Sequence, residues 1–195
     1  MFKRNSTAYK IAQLTSILGH PQITTSIYVI ALTSFFLDEN ISFVFSFLII
    51  CGIIIPLTIQ NYIKHIKNER SNFGISAGQQ KRTFYPFLIF LVTIALIVIY
   101  VINQPKDFIL GILFFLFMII SAYSIDLKIK CSLHTSFSFF IALAILKFYI
   151  AAGIMMMFFS VLIALSRLAL KRYGIKEIVI GGLIGLVFGI LNFVF

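Results

Sequence analysis

Apolar positions in this chain fall in long unbroken blocks separated by short polar stretches. The blocks are Ile23–Leu37, Ile41–Gln60, Phe84–Ile102, Phe108–Ile125 and Ile178–Phe195, with a nearly continuous run from Leu133 to Leu170. A helix rising 1.5 Å per residue needs about 20 residues to cross a hydrocarbon core of about 30 Å, so the run from Leu133 is too long for one crossing. Lys147 divides it into Leu133–Leu146 and Tyr149–Leu168. The pattern predicts an all-α, polytopic transmembrane bundle of about six to seven spans. A membrane barrel would instead alternate apolar and polar residues in short segments. The first block is short and is followed by the polar tip Asp38-Glu39-Asn40, so its helix is the one expected to tilt or to embed only in part.

The first twenty residues follow a different pattern. Ile11, Leu14, Ile17 and Leu18 recur at helical spacing with Lys10, Gln13 and Ser16 between them, and Gly19 and Pro21 form a stop. Two readings fit: a basic amphipathic helix on the membrane surface, or a solvated lead-in tail. The basic start is not followed by an apolar core and a small-residue cleavage site, so it does not read as a secretory signal. The chain therefore divides into a basic amphipathic segment (1–22), a two-span hairpin (23–60) and a helical core (61–195).

Composition narrows the class. Of 195 residues, 61% are apolar and 11% charged, whereas a soluble domain is about half apolar and a quarter charged. So little polar surface cannot cover a water-facing globule. Charge adds an orientation. There are 16 Lys and Arg against 6 Asp and Glu. Alternating spans sort the connections onto two faces. One face carries Lys3, Arg4, Lys10, Lys64, Lys67, Arg70, Lys81, Arg82, Lys128, Lys130, Arg167, Lys171, Arg172 and Lys176; the other keeps Lys106 and Lys147. The positive-inside rule makes the cation-rich face cytoplasmic, in an inner or cytoplasmic membrane. The basic segments are short and tethered to spans, so nucleic acid is not an expected partner. Three His and two separated Cys give no metal-ligand spacing, and no cofactor is expected.

Three polar clusters sit at span boundaries on the cation-rich face. The first is Gln79-Gln80-Lys81-Arg82-Thr83-Phe84-Tyr85-Pro86. The second is Lys128-Ile129-Lys130-Cys131-Ser132-Leu133-His134-Thr135. The third is Ser166-Arg167, Tyr173 and Glu177. Each is two spans from the next, so all can converge at one membrane surface. Arg offers paired donors to phosphate oxygens, Lys a point charge, and backbone N–H groups at a helix start add to both. Ionisable groups at this depth are candidates for function.

The order and spacing resemble the type 2 phosphatidic acid phosphatase superfamily, whose fold is shared with vanadium haloperoxidases. That family carries KxxxxxxRP, then PSGH, then SRxxxxxHxxxD on membrane helices. The likeness runs from about Asn61 to the end. Ser166-Arg167, the five-residue gap, the three-residue gap and the acid Glu177 keep the third motif's register, and Gly181-Gly182-Leu183-Ile184-Gly185 is similar to the family's last helix. Ser132 and His134 match the second motif, with Cys131 and Leu133 in place of Pro and Gly. Arg82 stands for the Arg of the first, but Tyr85-Pro86 follows it by three residues, and Lys81 is off the family's Lys spacing.

The resemblance implies a lipid phosphatase acting on a phosphomonoester or diphosphate head group, with the lipid tail between helices. His134 would be the general acid. Lys81, Arg82, Lys130, Ser132 and Arg167 would bind phosphate. Tyr173 stands where the family has its nucleophilic His, and Glu177 where it has the acid that holds that His. No His follows His134, and His20 could approach only by an unusual path. A phenol with a pKa near 10 is a poor nucleophile, and a neighbouring carboxylate makes it poorer. The alternative is a non-catalytic protein on the same fold that binds a lipid phosphate or serves a structural role.

Blander readings stand beside these. Arg167 can snorkel to head groups from a helix end. Lys171, Arg172 and Lys176 read as topological charges. Met155-Met156-Met157 read as lipid-facing or packing residues. Gly181, Gly185 and Gly189 read as a close-packing stripe, inside one chain or between two copies in a homo-oligomer. An intramembrane prenyltransferase or alcohol phosphotransferase would need paired or repeated Asp motifs that this chain lacks.

Overall fold

A computed structural model describes residues 7–37, 42–52, 55, 56, 59 and 77–195, without the side chains of residues 8 and 77–83. The described residues form eight helices and no strand: α1 (Thr7–Leu18), α2 (Pro21–Phe36), α3 (Ser42–Gly52), α4 (Ala77–Val101), α5 (Lys106–Asp126), α6 (Leu133–Leu146), α7 (Ile150–Ala169) and α8 (Ile175–Val194). Four stretches are long and apolar enough to cross a membrane: Phe84–Val101, Lys106–Asp126, Ile150–Ala169 and Ile175–Val194. The outer faces of these helices are apolar, with Met155 and Phe158 each 72% exposed. The chain is all-α and suited to a membrane.

α6 has only 14 residues, about 21 Å of helix at 1.5 Å per residue. It can be short because it is the central helix. It packs against α8, α7, α2 and α5, and ten of its residues, among them Phe137, Phe140 and Ile141, are buried. A helix that is apolar all round belongs in such a position. Its buried hydroxyls are satisfied at short range: Ser136 Oγ donates to the Ser132 carbonyl (3.3 Å) and Ser138 Oγ to that of Thr135 (3.0 Å).

α8 lies against α6 along its glycines. A Cβ at Gly181 would stand 2.5 Å from the Ser132 carbonyl oxygen, and one at Gly185 would run into the carbonyl of Ser136. Gly189 faces the Leu143 side chain. The glycine stripe therefore packs within one chain. The methionine run splits: Met155 is exposed and Met156 is buried.

The connections put alternate helix ends together. At one end, Lys147 Nζ, from the α6 C-cap, lies 3.4 Å from Asp107 Oδ1 at the start of α5 and donates to the Asn192 carbonyl near the end of α8 (3.2 Å). The end of α2 joins them, with Phe35 and Phe148 ring centroids 4.7 Å apart. At the other end lie the α1–α2 turn, the end of α5 and the starts of α6 and α8. The polar residues gather there.

Candidate functional site

The α6 start is built by its neighbours. Cys131 N–H donates to Asp126 Oδ1 (2.7 Å), and Ser132 N–H donates to the Glu177 carbonyl (3.1 Å). The second bond ties the first turn of α6 to the first turn of α8. Ser132 is the α6 N-cap, fully buried, with its Oγ 2.8 Å from Thr135 Oγ1. His134 is the second residue of the helix, half-buried at this end of the bundle.

Arg167 comes from the last turn of α7. It is 3% exposed, and its Nε is buried with no hydrogen-bond partner among the described residues. No carboxylate of the described residues pairs with it; the ion pair between described residues is Lys147–Asp107, at the far end. Its electrostatic neighbours are His134, His20, Arg172 and Tyr173. A buried cation among imidazoles, another cation and a phenol lacks a counter-charge among the described residues.

His20 is the residue that sequence reasoning kept away. Its ring lies 5.4 Å from that of His134, centroid to centroid, at an interplanar angle of 89°. The path that brings it there is short. α1 packs against α7, and Gly19 lets the α1–α2 turn sit directly on it, since a Cβ there would be 2.5 Å from Ile163 Cγ1. Ile163 lies four residues before Arg167, on the same face of α7. Ser16 Oγ meets Arg172 Nη1 at 3.4 Å, a second tie between the two segments. Burial, then the Arg167 guanidinium, holds the His20 imidazole below its ordinary pKa of 6.5. Pro21, read in the sequence with Gly19 as a stop, is also the first residue of α2. No local pattern could show which helix the turn would meet.

The remaining candidates divide. Tyr173 sits in the α7–α8 turn within electrostatic reach of Arg167 and Tyr85. The Glu177 carboxylate accepts from Gly174 N–H at 3.0 Å, so it caps α8. Lys130 is exposed in the α5–α6 turn. The side chains of Lys81 and Arg82 lie outside the described residues. Tyr85, 2% exposed with its hydroxyl buried, borders the site from α4 and stacks on Tyr123 (5.1 Å). Among the described residues, no group of three His, Cys, Asp or Glu side chains could hold a metal ion. Two apolar grooves, between α2 and α3 and between α3 and α4, lie away from this polar end.

No family model, curated protein or solved structure matches this chain.

Proposed function

We propose that the polar end of the bundle is a phosphate pocket and that the protein is a lipid phosphatase in an inner or cytoplasmic membrane, with the pocket facing the cytoplasm. The observation that carries this reading is Arg167: a buried guanidinium beside two imidazoles, with no carboxylate partner among the described residues. An anion with several oxygens supplies the missing charge and takes the fork of donors. N–H groups at the start of α6, where Ser132 holds the N-cap position without a side-chain cap bond, add dipole and hydrogen bonds. In hydrolysis the phosphorus–oxygen bond to the lipid breaks and one to water forms. Water gives up a proton to solvent as it attacks. His134, protonated once the bound anion offsets Arg167, hands its proton to the leaving oxygen, and Arg167 holds the phosphoryl oxygens. Seven spans accompany this reading: the apolar blocks Ile23–Leu37, Ile41–Gln60 and Leu133–Leu146 of the sequence, in addition to the four long helices.

The test is phosphate release from lipid phosphomonoesters and diphosphates by the purified protein in detergent, compared with His134→Ala. Release by the parent protein and its loss in the variant are expected. Equal release from both would end the enzyme reading. Tyr173 favours a second reading, a pocket that binds the head group without turning it over. On that reading the parent protein binds but does not hydrolyse, and Tyr173→His gains activity.

A further inference from the structure

His20 is the N-cap of α2, and its Nδ1 accepts from the Gln22 N–H at 3.3 Å. A backbone N–H only donates, so the capped nitrogen carries a lone pair and the ring proton sits on Nε2. A second proton would have to go onto Nδ1, opposite the Gln22 donor, and would break the cap. The capped ring is therefore a neutral group with a donor at its other end. Because it needs no positive charge, it can stand beside a buried guanidinium without adding to the repulsion there.

We propose that His20 is a phosphate-binding residue of the Arg167 pocket, donating from Nε2–H to an anionic oxygen, with the α2 cap holding it in the tautomer that can do so. The inference rests on the anion-pocket reading above and adds a residue from outside the segment that carries the motif resemblance. Three observations converge on it. The His20 ring stands edge to face on His134. Arg167, buried and with an unpartnered Nε, waits within electrostatic reach of both rings. The turn that carries His20 packs on α7 through Gly19 on Ile163, and α1 meets the α7–α8 turn through Ser16 on Arg172. The second imidazole of the site thus comes from the N-terminal segment, while Tyr173 holds the position where the resembled family has a histidine.

The ligand chemistry is a tetrahedral phosphate group. Its source is either a lipid head group or free phosphate. Calorimetric titration of the full chain in detergent with inorganic phosphate and with dihexanoyl phosphatidic acid separates the two: tighter binding of the lipid identifies a head group, and equal binding identifies the free ion. His20→Ser keeps a capping oxygen for Gln22 N–H but is too short to reach the pocket. Affinity for both probes should fall about 10- to 100-fold, the effect of losing a hydrogen bond to a charged group. Unchanged affinity overturns the proposal. If the variant folds poorly, 15N spectra of histidine in the parent protein decide: a protonated Nε2 that shifts on adding phosphate supports the role, and a protonated Nδ1 or an unshifted signal overturns it. Arg167→Ala separates the two levels of the argument. If it leaves phosphate affinity unchanged, the anion pocket itself fails and His20 with it. If it weakens binding while His20→Ser does not, only the role of His20 fails.

Discussion

An imidazole that caps a helix has one nitrogen committed and one to spare. At His20 this also fixes how folding responds to acid. The folded ring is held below 6.5 by burial and then by Arg167, whereas the unfolded chain titrates at the ordinary value. Between those two pKa values the unfolded state binds more protons, so stability falls as pH drops below about 6.5, at up to about 1.4 kcal/mol per pH unit for one proton. Above 6.5 both states are neutral and the residue has no effect. The melting temperature of the parent protein should therefore drop on acidification from pH 7 to 5.5, and His20→Ser should make that drop shallower by the share of one proton. Parallel curves for the two proteins would contradict this. Glu177 is a second case where local chemistry decides a residue's contacts. Its spacing from Arg167 follows the resembled motif, yet its carboxylate is held by the N–H three residues before it.

At the scale of elements, the α6–α8 seam positions the site. Gly181 and Gly185 allow backbone-to-backbone approach, and the Ser132–Glu177 bond ends the seam at the polar end of the bundle. A branched side chain at Gly185 meets the Ser136 carbonyl, which belongs to the helix backbone and cannot turn aside. Gly185→Val should destabilise the fold by about 2 kcal/mol or more, in the range of overpacked cores, and, on the proposed phosphate-pocket reading, should weaken phosphate binding through displacement of α6. Gly52 has open space around it, so Gly52→Ala should change neither. Thermal unfolding and titration of the two variants check this contrast.

Helix identities were legible because apolar blocks and caps are local signals: Lys147 ends α6 and Gly19 ends α1, as their spacing implied. Helix ends were less so. α4 begins at Ala77, before the apolar block at Phe84, and α8 at Ile175, before Ile178, because a helix continues past the apolar part of its sequence. The meeting of His20 with His134 was not legible at all. It depends on α1 packing against α7, a contact between residues far apart in sequence.

For the whole molecule, the grouping of helix ends follows from short connections and alternation. The end with the α1–α2 turn, Arg167, Arg172 and the α6 start is also the cation-rich face in the sequence. The end with Lys147, Asp107 and Asn192 carries the C-terminus. If the cation-rich face is cytoplasmic, a reporter fused after Phe195 should read non-cytoplasmic, and one fused after Lys171 cytoplasmic. A cytoplasmic signal at the C-terminus would refute the seven-span count or the face assignment.

The tie between the α1–α2 turn and α7 also has a consequence in time. Arg167 and Arg172 leave the ribosome roughly 150 residues after Ser16 and His20, which at ~5–20 residues per second is a delay of about 8–30 s. During that interval α1 and α2 lack the α7 contact against which their turn packs. The polar end of the bundle is therefore completed only when α7 packs against α1, well after the α1–α2 turn has been made.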